Sequence, residues 1–131
     1  MKKLGIHIEI TDLIVPKIGD KIEDLRKLVK WILDELGPDI PFHLIKFFPT
    51  YKMLNTPETP TATMEKFVKE ARKLGLTYVY TGNIPGHPDE NTYCPKCKTL
   101  LIERFGFASR VRNLNKDKCS NCGTKINLVL N

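Results

Sequence analysis

Apolar and polar residues alternate strictly near the start of the chain. Ile6, Ile8 and Ile10 interleave with His7, Glu9 and Thr11. A period of two predicts a strand within residues 4–15, with one apolar and one polar face. Pro16 and Gly19 close it. The period then lengthens. Ile22, Leu25, Val29, Ile32, Leu33 and Leu36 make one stripe of a helix. Asp20, with Glu23 three residues on, predicts a capping box at its start. Gly37-Pro38 predicts its end. A second apolar run, residues 42–48, predicts a strand that stops at Pro49. Residues 49–60 hold Pro49, Pro57 and Pro60 and read as a long ordered loop. Thr59 is the expected N-cap of a second helix, with Pro60 in its first position. Met64, Phe67, Val68, Ala71 and Leu74 are its inward face, and Gly75 its terminator. Residues 77–81 predict a third strand. A turn-rich link, residues 82–88, leads to two further strands, Thr99–Phe105 and Lys125–Leu130.

The order β-α-β-α-β predicts an α/β protein with parallel strands joined by right-handed crossovers. Three such units do not close a barrel, and they leave two sheet edges. Parallel strands are normally buried on both faces. The polar row His7, Glu9, Thr11 therefore marks either a lumen used for function or an amphipathic edge strand. The expected division is a partial (β/α) barrel segment, residues 1–89, and a small cysteine module, residues 90–131.

All four cysteines lie in that module, as Cys94-Pro-Lys-Cys97 and Cys119-Ser-Asn-Cys122. Each Cys-x-x-Cys knuckle turns two thiolates to one side, and two knuckles make a tetrahedron of the kind Zn²⁺ takes in closed structural sites. Gly123 follows the second knuckle, where a sharp turn makes a Cβ costly. Structural zinc on Cys94, Cys97, Cys119 and Cys122 is the expectation. Iron in a rubredoxin-like site, or two disulfides, fit the same spacing. A closed four-cysteine site has no vacant position, so the metal would fold the region and not catalyse.

Charge sharpens the division. The formal net charge is +6. Residues 1–89 carry 13 Lys+Arg against 12 Asp+Glu, and residues 90–131 carry 8 against 3. Four thiolates with one Zn²⁺ would offset part of that excess. Arg104, Arg110, Arg112, Lys116 and Lys118 lie between the knuckles, near Phe105 and Phe107. Basic residues interleaved with aromatics suit single-stranded nucleic acid, although the two aromatics are expected to form the small core of the module. Met1-Lys2-Lys3 is followed by alternation and not by an apolar run, and no stretch has the length of a membrane span. A cytoplasmic protein without a membrane association is expected. Abundant Lys and Glu with no Gln are compatible with a thermophilic source.

Four segments in order carry a family resemblance. They are Glu9-Ile-Thr-Asp-Leu-Ile-Val-Pro16; Phe42-His43-Leu44 with Lys46-Phe-Phe-Pro-Thr-Tyr-Lys52; Tyr78-Val-Tyr-Thr-Gly-Asn-Ile-Pro-Gly86; and Asn91-Thr-Tyr-Cys-Pro-Lys-Cys97. Together they resemble the C-terminal part of the radical SAM proteins of the AmmeMemoRadiSam system, which are similar to pyruvate formate-lyase activating enzymes. The resemblance implies part of a (β/α) barrel that binds S-adenosylmethionine and a [4Fe–4S] cluster. The family's cluster is held by a Cys-x-x-x-Cys-x-x-Cys loop near the start of the barrel, and this sequence has no such loop. The chain then looks like the last three βα units plus a zinc-ribbon tail.

Thr11 and Glu9 match the lumen side of a late barrel strand bordering the cosubstrate, and His43 matches a His common in the next strand. Lys46 stands where Arg is frequent. Phe48 stands where His is often near the cosubstrate, which argues against a direct cosubstrate contact from this strand. Asn83 and Gly86 read equally as turn residues. The implied cofactors, S-adenosylmethionine and the cluster, require completion by a missing N-terminal half. The expected partner is that half or a second copy of the chain. The alternative is a zinc-ribbon docking or nucleic-acid-binding module.

Overall fold

A computed structural model describes residues 4–129. The chain divides into two compact units, Met1–Ile84 and Pro85–Asn131. The first contains β1 (Ile10–Ile14), α1 (Ile22–Glu35), β2 (Phe42–Lys46), α2 (Thr61–Leu74) and β3 (Val79–Gly82). The second contains β4 (Thr92–Tyr93), β5 (Leu100–Phe105), β6 (Ala108–Val111), β7 (Leu114–Asn115) and β8 (Lys118–Cys119). The whole is a mixed α/β protein with small sheets and a cysteine cluster.

In the first unit the strands are parallel and in sequence order, β1-β2-β3. Residues that alternate along a strand face opposite sides. Ile14, Phe42, Leu44 and Val79 turn to one side and form a core with Leu25, Val29 and Ile32 of α1 and Met64, Phe67, Val68 and Ala71 of α2. Both helices therefore cover the same face, and they are tied to each other by Arg26 Nε donating to Glu70 Oε1 at 2.6 Å. The other face presents Thr11, Leu13, His43, Ile45, Tyr80 and Gly82, all exposed or half-buried. The sheet is thus amphipathic, which is unusual for parallel strands.

Several local expectations are corrected. β1 begins at Ile10, so Ile6 lies outside it and is 51% exposed. The inward positions of β1 are Ile10, Asp12 and Ile14, which puts a carboxylate on the helix-covered side. Asp20 caps nothing: its Oδ1 accepts from Lys17 N at 3.0 Å and closes the preceding turn, while α1 starts after Lys21 without a side-chain cap. Thr59 is not an N-cap either. Pro60 holds that position, and the fully buried Thr59 hydroxyl donates to Ile14 O and accepts from Phe47 N at 3.0 Å. Thr59 joins the ends of two neighbouring strands, a role no local pattern announces. Leu74, at the end of α2, is partly exposed. The helix ends follow the expected glycines: Gly37 and Gly75 both have positive φ and donate to carbonyls of the last turn.

In the second unit, β4-β5-β6 form an antiparallel sheet and β7-β8 a hairpin. Phe105 and Ala108 pair across a two-residue turn, Gly106-Phe107, in which Gly106 alone has positive φ. Phe107 at the tip is fully exposed and Phe105 is 67% exposed. The expectation that they form a small core is overturned. The buried apolar positions are Leu101, Ile126, Cys94 and Cys119. Lys125–Leu130 is not a strand: Lys125 makes one bridge to Lys118, and Leu130 lies outside the described residues. The turn at Pro88–Glu90 belongs with this unit, because Arg104 Nη1 donates to Glu90 O at 3.1 Å and to Thr92 Oγ1 at 2.7 Å. No helix among the described residues is long and apolar enough to cross a membrane.

Candidate functional sites: a four-thiol cluster and a polar sheet face

Each knuckle is built by the same backbone bonds. Cys94 N donates to Thr99 O and Cys119 N to Thr124 O, both at 2.9 Å. Lys98 N donates to Cys94 O at 3.0 Å, and Gly123 N to Cys119 O at 2.8 Å. Such turns need a left-handed residue after the second cysteine. Gly123 (φ 72°) fills that place in one knuckle and Lys98 (φ 61°) in the other. The four Sγ atoms lie within 4.8 Å of one another. Two pairs that cross between the knuckles are Cys94–Cys122 at 3.5 Å and Cys97–Cys119 at 3.6 Å. A tetrahedron of sulfurs about 2.3 Å from a central Zn²⁺ has edges of about 3.8 Å. The separations match that and far exceed the roughly 2.05 Å of a disulfide; all four cysteines are free. The cluster could bind a metal ion.

The thiols differ in surroundings. Cys94 and Cys119 are buried, whereas Cys97 and Cys122 are partly exposed. The Thr99 hydroxyl, 3.2 Å from Cys97 Sγ, holds that thiol down to about 5, with help from the Asn121 side chain and the Thr99 N–H. The Thr124 hydroxyl, 3.1 Å from Cys122 Sγ, also lowers its neighbour. Burial pushes Cys119 up to about 11. Thr99 and Thr124 were missed in the sequence reading, although Cys-x-x-Cys-x-Thr occurs twice.

The second candidate lies on the face of the parallel sheet opposite the two helices. Glu9 Oε2 is 2.8 Å from His43 Nε2, and Glu9 Oε1 is 2.9 Å from His7 Nε2. Two of the three expected lumen residues are therefore in contact. Thr11 pairs in register with His43 on the adjoining strand and is exposed, with no hydrogen bond to either. Two residues join that sequence reasoning did not assign to the site. His7 shares the parity of Glu9, which was legible. Tyr80 pairs with His43 in register and its ring stacks at 5.2 Å between centroids, which required the strand order. The His7 hydrogen bond chiefly, with His43 adding to it, lowers the pKa of Glu9 against a burial penalty. At the strand ends, Asn83 (φ 64°) donates from Nδ2 to Lys46 O at 3.0 Å. Lys46 is 8% exposed, with its ammonium 3.3 Å from Glu58 Oε1 and over the Phe48 ring.

Asp12 behaves oppositely to Glu9. Burial alone raises its pKa from the ordinary 3.8. A raised carboxylate pKa means the fold prefers the neutral acid, so stability falls as pH rises through 3.8 to the raised value. Asp12→Asn is expected to raise the melting temperature at pH 7 and to leave it nearly unchanged near pH 3. Melts at the two pH values check this; equal shifts at both would refute it.

An uncharacterized protein of Methanocaldococcus jannaschii is 48% identical over 131 aligned positions. The alignment covers 98% of this chain but 39% of that protein, so the chain spans about two fifths of the relative's length. No family model matches the chain. No solved structure matches it.

Proposed function

We propose that the chain is the C-terminal part of a radical SAM-like protein, its first unit a segment of a (β/α) barrel and its second a ribbon held by structural zinc. The observation that carries the reading is the sheet face opposite the helices, where Glu9, His43 and Tyr80 are gathered. Consecutive parallel strands with helices on one face alone are the building unit of a barrel, whose other face lines the lumen. The much longer relative is consistent with such a chain having further barrel units elsewhere. Zinc is the metal this reading assigns, because two Cys-x-x-Cys knuckles converging on one point suit the closed tetrahedral sites in which structural zinc is held. With four protein ligands, the ribbon leaves no vacant metal position for a cosubstrate.

The chemistry in this reading belongs to a cluster carried by the missing half: reductive cleavage of S-adenosylmethionine to a 5′-deoxyadenosyl radical. The chain alone, given iron, sulfide and a strong reductant, is expected to form no 5′-deoxyadenosine. Mixed with a polypeptide carrying a Cys-x-x-x-Cys-x-x-Cys loop from the same source, it should form a complex and restore cleavage, and His43→Ala should weaken that activity. Product from the isolated chain, or failure of the two halves to associate, would overturn the assignment. Without the partner half, the open face and edges favour a homodimer.

A second reading, a docking or nucleic-acid module, has the exposed hairpin behind it. Phe105, Phe107 and all of β6, including Arg110, face solvent. Arg112, by contrast, is paired with Glu103, and Arg104 is spent on Glu90 and Thr92. Labelled single-stranded RNA titrated across salt separates the readings: salt-dependent binding favours the module, and none at low ionic strength removes it.

A further inference from the structure

We propose that Thr99 and Thr124 are positioning residues for the metal centre, whose hydroxyls hold the two solvent-side thiolates, Cys97 and Cys122, in a weakly nucleophilic state. This rests on the reading of the four cysteines as a metal site.

The two knuckles are copies of each other in hydrogen bonding and in backbone handedness. The copying extends to the side chains. In each, the chain folds back after the second cysteine and sets a threonine hydroxyl beside its sulfur: the free Cys97 thiol donates to Thr99 Oγ1 at 3.2 Å, and Cys122 Sγ is 3.1 Å from Thr124 Oγ1. Once metal binding strips the thiol protons, the sulfurs can only accept and the hydroxyls become the donors. The first cysteine of each knuckle needs no such cover: Cys94 is 0% and Cys119 1% exposed. The hydroxyls thus stand at the two sulfurs that solvent reaches, and at no other.

Four thiolates around a divalent cation carry two excess negative charges, which reside on sulfur. A hydrogen bond to a metal thiolate draws electron density from its lone pair and occupies the direction from which an electrophile or a proton would approach. A buried sulfur is protected by access alone. An exposed one has to be protected chemically, and a hydroxyl two residues on does this without closing the surface. Serine would supply the same donor; valine, of nearly the same shape, would not.

The test uses the full chain loaded with zinc, beside Thr99→Val, Thr124→Val, the double variant and the matching serine variants. Zinc release is followed with a colorimetric chelator during treatment with iodoacetamide, and the first alkylated cysteine is identified by mass spectrometry. Zinc affinity is expected to fall about tenfold or more in the double valine variant, release to accelerate, and the first adduct to form on Cys97 or Cys122. Serine variants should retain wild-type behaviour. In cobalt-substituted protein, the sulfur-to-cobalt charge-transfer band should move to lower energy in the valine variants and stay in place in the serine variants. If the valines prevent loading, the alanine pair, which adds no methyl beside the sulfur, gives the same comparison. Wild-type rates and an unmoved band in loaded valine variants would overturn the inference, as would first adducts on Cys94 or Cys119. A wild-type chain that binds no metal would instead remove the metal reading beneath it.

Discussion

Cys97→Ser, or removal of the metal by a chelator, is expected to unfold residues 85–131 and to spare residues 1–84. The second unit has little else to hold it. Among the described residues its buried apolar side chains are Leu101 and Ile126, beside Cys94 and Cys119 themselves. Its strands are short, and β7, β8 and β4 have two residues each. Burying two aliphatic side chains stabilises by only about 3–6 kcal/mol, and fixing some forty residues costs far more. Structural zinc contributes on the order of 10 kcal/mol or more, so its loss decides the outcome. Serine in place of Cys97 removes one ligand and leaves three thiolates with a weaker oxygen donor. Elemental analysis should find one equivalent of metal per chain in the wild type. Limited proteolysis of the chelated protein should then cut within 85–131 first. Purified protein with neither zinc nor iron, or a second unit that resists protease after chelation, would defeat this expectation.

Phe42→Ala is expected to do the converse, unfolding or nearly unfolding the first unit while the thiol cluster keeps its metal. Phe42 is fully buried in the central strand, and its N–H donates to Tyr78 O at 2.9 Å. It packs in the core shared by the sheet, α1 and α2. Truncating a buried Phe costs about 3–5 kcal/mol, part lost transfer energy and part cavity. A unit of this size is stable by about 5–15 kcal/mol, so the change uses up much of the margin. Chemical denaturation followed by circular dichroism gives the loss, and metal content measured on the same sample tests the ribbon. A loss below about 1 kcal/mol would mean that the core refills the space or that Phe42 is not packed as described.

The two helices were legible in the sequence because their stripes repeat within a turn or two, and Gly37 and Gly75 ended them as expected. The cysteine spacing likewise made the thiol cluster legible, since each knuckle is a local turn. Capping was read less well. Asp20 and Thr59 have the right chemistry for an N-cap, but each had a competing partner. For Asp20 it was the N–H of Lys17, three residues away. For Thr59 it was Ile14, 45 residues away. Lys98 gave no sign that it would take a left-handed turn; only its equivalence to Gly123 explains it. The hairpin at Gly106 went unread because Phe105 and Phe107 were assigned to a core, when turn chemistry at the glycine made them tip residues instead.

The alternation along residues 9–11 determined that Glu9, just before β1, and Thr11, within it, would share a side, and the apolar parity of β2 determined which side the helices would take. These are short-range facts of periodicity, and the chain carries them wherever it folds. Only the tertiary structure decided that Glu9 would meet His43, 34 residues on, and that Tyr80 would stack upon it. Those contacts depend on strand order and on register, Thr11 to His43 to Tyr80. Register is set by how the whole core packs, and a slip of one residue would have turned the same side chains to the buried face.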